Sequence, residues 1–196
     1  MIKISPKKIK GEWVDGYALD FHTAGSVYIG DDEYGHPQFD TTRTSIGELL
    51  YRLKYGGDES VIEPIVTTAG NFVRSRSWPI DLIIPVPASR SRPFQPVVAL
   101  AKRLAEELKV AFCGGCVAKV KEIPELKNIF DFNERTKLLG SAFQVNHPKV
   151  KGKHVLLFDD LYRSGATINA VSSELKKLGK VASIYALTLT MTRRRR

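Results

Sequence analysis

From residue 81 onward the chain alternates short apolar runs with stretches of helical period, and few architectures accept that order. "DLIIPVP" at 81–87 has the length and composition of a buried strand, and after it Val97, Leu100, Ala101, Leu104 and Leu108 recur on one helical face. "VAKV" at 117–120 and "AFQV" at 142–145 are weaker strand candidates, separated by a polar, mixed-charge region that reaches about Gly140. "HVLLF" at 154–158 is a strong one. Ile168, Val171, Leu175 and Leu178 then form a helical stripe that Gly179 is predicted to cap, and "VASIYALTLT" at 181–190 reads as a last strand. Strands and helices in this order predict an α/β fold, a parallel sheet with helices on both faces and a ligand at the carboxyl ends of the strands.

The N-terminal part has a different texture. Residues 11–43 are aromatic and turn-rich, with Tyr17, Leu19 and Phe21 alternating and Val27 and Tyr28 preceding "GDDEYGHP". One or two short strands and an exposed loop are predicted, so residues 1–43 are read as a small β-rich hood or appendage and 44–196 as the main domain. Two capping boxes, Ser45 with Glu48 and Ser60 with Glu63, open helices there, the first stopping at Gly56-Gly57.

Composition excludes several classes. No apolar run approaches the ~18 residues of a membrane span, so a soluble, cytoplasmic protein without membrane contact is expected. Cys113 and Cys116, in "CGGC", are too few for a disulfide framework or a four-ligand zinc site, and are read as a reduced pair without structural weight. His22, His36, His147 and His154 show no metal-ligand spacing and are read as surface or strand-edge residues. The net charge of +9 lies partly in "KISPKKIK" near the start and "RRRR" at the end. Basic tails of this kind are usually solvated; weak nucleic acid contact is their functional alternative.

The chemistry concentrates in "VLLFDDLYRSGATI" at 155–168. Side chains alternate faces along a strand, so for Asp159 and Asp160 to serve one ligand the strand is expected to end there. A helix then begins near Gly165 or Ala166, and its first turn offers unpaired N–H groups to an anion. Ser164 and Thr167 add hydroxyls, and Gly165 allows close backbone approach. Two carboxylates beside a phosphate cradle match a vicinal diol carrying a phosphate, as in ribose 5-phosphate. Neither G-x-x-x-x-G-K-[ST] nor G-x-G-x-x-G is present.

This stretch resembles the signature of the type I phosphoribosyltransferases: four apolar residues, two acidic ones and a Thr-Gly-small-Thr loop, with Ser164 in place of the first Thr. "LKYGG" at 53–57, "DLIIPVPASRSR" at 81–92, "ERTKLLGSAF" at 134–143 and "ALTLT" at 186–190 extend the resemblance to the ComF-like branch over roughly residues 45–190. The chain departs from that branch in lacking an N-terminal cysteine-rich zinc ribbon. It also carries "RPFQP" where Arg-Gly-Phe-Asn is familiar, in a shortened stretch, and Leu138 where an Asn is expected. These departures bear on the acceptor side and leave the ribose phosphate motif intact.

The resemblance implies a nucleotide-metabolism enzyme that takes 5-phosphoribosyl 1-diphosphate with magnesium and transfers ribose 5-phosphate to a nitrogen acceptor. By the same resemblance Asp159 and Asp160 position the ribose diol, and Arg163, Ser164, Gly165, Ala166 and Thr167 hold the 5-phosphate. Ala88, Ser89, Arg90, Arg92 and Lys54 attend the diphosphate. Arg135 and Lys137 are the cations of a closing loop over 121–140. Magnesium is expected to bind through substrate and water rather than through protein ligands. A homodimer is implied as well. Two alternatives of other classes stand beside the enzyme: a non-catalytic sensor of the donor or a nucleotide, and a ComF-like accessory protein of DNA uptake or processing.

Overall fold

Strands rich in consecutive apolar residues are stable when both faces are covered, and the chain gathers its own into one six-stranded sheet between helices. The computed structural model describes residues 2–88, 93–120 and 142–193. The strands are β1 (Lys7–Lys8), β2 (Asp15–Phe21), β3 (Thr23–Asp31), β4 (Pro37–Arg43), β5 (Leu82–Pro85), β6 (Ala111–Phe112), β7 (Val117–Lys119), β8 (Phe143–Val145), β9 (His154–Tyr162) and β10 (Ser183–Met191). The main helices are α1 (Ser45–Gly56), α2 (Ile62–Arg76), α3 (Pro96–Leu108) and α4 (Ala166–Lys177). Sheet order is β1-β2-β10-β9-β5-β6, and every pairing is parallel except β1 with β2.

The core has two halves, one on each face. Leu156 and Phe158 of β9 join Leu187 of β10 under α1, α2 and α3, where Ile46, Leu50, Ile65 and Leu100 are fully buried. Val155 and Leu157 face the other way and meet Ile168, Val171 and Leu175 of α4. Each large side chain so buried contributes about 2 kcal/mol, which explains why this alternation sets the register. The expected α/β sheet with helices on both faces is what the chain forms.

Several local expectations are corrected. Ala18 and Leu19 of β2 are fully buried and β2 pairs with β10 in the main sheet, whereas β3 and β4 pair only with each other. β7 and β8 pair with each other, antiparallel, instead of joining the parallel sheet. Thr44, not Ser45, caps α1, its Oγ1 accepting the Gly47 N–H at 3.2 Å. Asp58 takes the role given to Ser60 by accepting the Ser60 N–H at 3.1 Å before a short 3₁₀ turn. Gly179 does not take the left-handed cap conformation. It is required because a Cβ there would lie 2.6 Å from the Leu175 carbonyl oxygen. Cys113 and Cys116 form a disulfide, since the two-glycine turn brings their Cα atoms to 5.4 Å. Among the described residues no helix is long and apolar enough to cross a membrane.

Candidate functional site

β9 runs through both carboxylates to Tyr162, so the strand does not end at Asp159. β10 sustains it, with Thr188 opposite Asp159, Thr190 opposite Leu161 and Met191 opposite Tyr162. The β5 side is different: its last pair is Pro85 with Phe158, after which the Val86 N–H bonds the Phe158 carbonyl at 2.9 Å. From Asp159 onward β9 therefore has a strand neighbour on one side only, and the sheet opens there.

Alternation then gives the two carboxylates different surroundings. Asp160 continues the face of Leu156 and Phe158, toward α1, and there Lys54 reaches it with Nζ 2.6 Å from Oδ2. Both side chains are largely covered, so this pair is stronger than a surface ion pair. Asp159 continues the face of Val155 and Leu157, toward α4. Its Oδ1 accepts the Asp160 N–H at 2.8 Å. Burial first, and the neighbouring Asp160 charge second, push its pKa up to about 8, against the pull of that hydrogen bond and of Lys54. Beside it in register, the fully buried Thr188 hydroxyl has no hydrogen-bond partner. The face of Asp159 thus holds a desolvated carboxyl beside an unpartnered hydroxyl.

α4 begins at Ala166, directly after the loop proposed as a cradle. Gly165 precedes α4 with φ +79° and, being glycine, brings no capping side chain of its own. A Cβ at Gly165 would fall 2.5 Å from the Tyr162 hydroxyl, so glycine is demanded by both conformation and space. Ser164 Oγ accepts the Ala166 N–H at 3.4 Å, and Asn169 donates its side-chain amide to the Gly165 carbonyl at 2.8 Å. Arg163 and Ser164 are exposed and Thr167 is half-buried. The N-terminal segment braces this loop: Tyr162 Oη donates to the Lys10 carbonyl at 3.2 Å, and the Glu12 N–H donates to Asn169 Oδ1 at 2.8 Å. Nothing in the helical stripe of α4 foretold that brace, because its partners lie almost the whole chain apart.

Of the predicted residues, Asp159, Asp160, Lys54 and the loop 163–167 come together at the open end of β9. Ala88 is exposed in the segment that follows β5 at the same carboxyl edge. Ser89, Arg90 and Arg92 lie outside the described residues, as do Arg135 and Lys137. Sequence reasoning missed His22. It is half-buried at the end of β2, its Nδ1 lies 3.3 Å from Thr190 Oγ1, and that hydroxyl donates to the Asp160 carbonyl at 3.0 Å. Burial and then Arg43, with Lys54 and Arg163 adding to it, lower its pKa despite Asp160, so it is neutral at pH 7. Its position directly after the strand alternation 17-19-21 was the available signal.

Among the described residues no three His, Cys, Asp or Glu side chains are grouped so as to hold a metal. The desolvated Asp159 carboxyl and the orphaned Thr188 hydroxyl nevertheless suit a hydrated hard cation or sugar hydroxyls, which would supply the partner Thr188 lacks.

No family model matches the chain. It is similar to the competence protein ComFC of Bacillus subtilis (strain 168), 26% identical over 149 residues that cover 72% of this chain and 58% of ComFC. The match thus spans less than two thirds of that relative's length. The adenine phosphoribosyltransferase of Leishmania tarentolae is similar with a TM-score of 0.51, at 11% identity, over 95% of this chain and 94% of that one. The adenine phosphoribosyltransferase of Trypanosoma brucei, in complex with AMP, pyrophosphate and ribose-5-phosphate, gives 0.50 at 14% identity over 94% and 73%. The chain has the type I phosphoribosyltransferase fold, and its resemblance to the ComF-like branch holds.

Proposed function

We propose that the chain binds 5-phosphoribosyl 1-diphosphate at the open end of β9 and transfers its ribose 5-phosphate to a nitrogen acceptor, releasing diphosphate. One observation carries this reading. On a type I phosphoribosyltransferase fold, a carboxyl pair of which Asp159 is desolvated and the N-terminus of α4 meet at the point where the sheet loses a strand. In this reading the first-turn N–H groups of α4, with Ser164 and Thr167, hold the 5-phosphate. Asp159 and Asp160 accept from the ribose hydroxyls, and the ion pair with Lys54 holds Asp160 in place. As the bond from C1 to the diphosphate oxygen breaks with its electron pair, positive charge grows on the sugar and the new bond forms from the acceptor nitrogen, whose proton passes to solvent. Asp159, ionised by then, stabilises that charge. Magnesium carried by the diphosphate would supply charge neutralisation on the leaving group.

The similarity to ComFC supports a second reading, in which the same site binds the donor without turnover within an accessory role in DNA uptake. Calorimetric titration with the donor and magnesium, on the wild type and on Asp159→Asn with Asp160→Asn, tests the site. Unchanged affinity in the double variant would sink it. Diphosphate release in the presence of candidate bases separates the enzyme from the sensor.

A further inference from the structure

The proposed transfer leaves His22 without a task, although its placement is particular. It follows β2, and its backbone is fixed on two sides: the N–H donates to the Met191 carbonyl at 2.8 Å, and the carbonyl accepts the Thr44 N–H at 3.4 Å. The ring is fixed as well. Thr190 has one hydroxyl hydrogen, and that hydrogen goes to the Asp160 carbonyl, which can only accept. At 3.3 Å the Thr190 oxygen therefore accepts from His22, whose Nδ1 carries the ring hydrogen. The lone pair is left on Nε2.

Charge keeps that lone pair free. Arg43 of β4, Lys54 of α1 and Arg163 after β9 act on the imidazole, against one carboxylate, Asp160. Arg193 adds a cation beside the next residues, donating to the Thr23 and Ala24 carbonyls. Burial first, and then Arg43, oppose a further positive charge, so the empty site holds the ring neutral. Arg43 is itself held in place, against Glu48 at 3.4 Å and over the Tyr51 ring at 3.5 Å.

Topology gives the lone pair a partner. In the order β2-β10-β9-β5, His22 lies on one flank of the carboxylates and the segment after β5 on the other. Strand spacing puts β2 about 10 Å from β9, the width of one flat heterocycle with its contacts. Displacement at C1 brings the nucleophile in on the side away from the leaving group. With the diphosphate toward Ala88, the acceptor enters on the β2 side, against His22.

We infer that His22 Nε2 is the base that takes the proton of the acceptor, a flat heterocycle whose attacking ring nitrogen carries a hydrogen. This rests on the proposed transfer. The electron pair of the N–H bond stays with the nitrogen, which bonds to C1; the pair of the C1–oxygen bond leaves with diphosphate; the proton moves to Nε2 and from there to solvent. Negative charge brought in by the donor stabilises the imidazolium that the empty site disfavours.

His22→Asn tests it, because the asparagine amide can still donate to Thr190 while offering no base. Calorimetry with the donor and magnesium is expected to show unchanged affinity, while diphosphate release with a panel of purine and pyrimidine bases falls about 100-fold or more. The wild-type profile of kcat/KM against pH should break below 6.5, and the variant should lack that break while both keep the one from Asp159 at about 8. A structural role alone would lower the rate at every pH alike. In the ligand-free wild type, nitrogen NMR is expected to find the ring hydrogen on Nδ1. A hydrogen on Nε2 overturns the inference, as does a variant that turns over at the wild-type rate or keeps the lower break. A wild type that binds no donor sinks the proposed function and this base with it, whereas one that binds but releases no diphosphate to any base leaves the sensor reading and overturns this one.

Discussion

Asp159→Asn separates the electrostatics of the site from its shape. The carboxyl moves from an ordinary 3.8 to about 8 on folding, chiefly by burial and then by Asp160. Between about pH 4 and pH 8 the folded chain therefore keeps a proton that the unfolded chain has released. Stability falls as pH rises through that window, levels off above it, and is unaffected by this group below about pH 4. At 1.36 kcal/mol per pKa unit the penalty at pH 7 has an upper limit of about 4 kcal/mol, and water at the open sheet edge reduces it to about 1–2 kcal/mol. Asparagine retains an oxygen for the Asp160 N–H and carries no charge, so the fold loses little. Guanidinium unfolding at pH 5 and pH 8 should show the variant gaining about 1–2 kcal/mol on the wild type over that interval. An identical pH dependence in the two proteins would refute the account of a carboxyl held against its charge. The same reasoning makes donor binding with magnesium release protons at pH 7 from the wild type and fewer from the variant. Titration in buffers of different ionisation enthalpy reads that difference.

Lys54→Met strips Asp160 of its partner and should cost about 2 kcal/mol of stability and at least about 10-fold in donor affinity, with Lys54→Arg recovering part of both. Gly165→Ala, forced to φ +79° and into the Tyr162 ring, should cost about 2 kcal/mol or more and abolish binding. Gly56→Ala, with open space around it, should be neutral or slightly stabilising in the same thermal melt. Thr188→Val removes a buried hydroxyl that nothing satisfies; the ligand-free protein should gain about 1 kcal/mol while donor affinity falls, and unchanged affinity would detach Thr188 from the site. His22 should titrate below 6.5 in a proton NMR series, and a midpoint above that value contradicts its surroundings.

The sheet and the start of α4 after Gly165 were legible because their signals are local. An apolar run, a glycine at a helix start and a 3.6-residue stripe need no knowledge of distant residues, and β5, β9, α3 and α4 stand where those patterns put them. For Asp159 and Asp160 the local geometry differs from the expectation: strand termination was argued from β9 alone, whereas β10 holds the strand in place to Tyr162. β2 was assigned to an appendage because its alternation resembles that of a half-exposed strand, and only pairing with β10 reveals its buried side. His22 and Thr188 were invisible for the same reason, since what matters about each is a neighbour across strands. The cap shifts to Thr44 and Asp58 are of another kind, a competition among adjacent hydroxyl and carboxyl groups that differ by about 1 kcal/mol or less.

The parallel pairing of β2 with β10 has a consequence for how the chain comes to be folded. β10 is the middle strand between β2 and β9, yet it is made last. On a ribosome β2 leaves the exit tunnel with its apolar side chains ready and no partner to receive them until β10, far along the chain, has followed. Contacts so remote in sequence raise the entropic barrier to folding and slow it. During that wait β2 is exposed to other chains. A nascent chain of this protein is therefore expected to depend on holding chaperones until its C-terminal strand is released, and a deletion that trims β10 should leave an insoluble product even with every site residue intact.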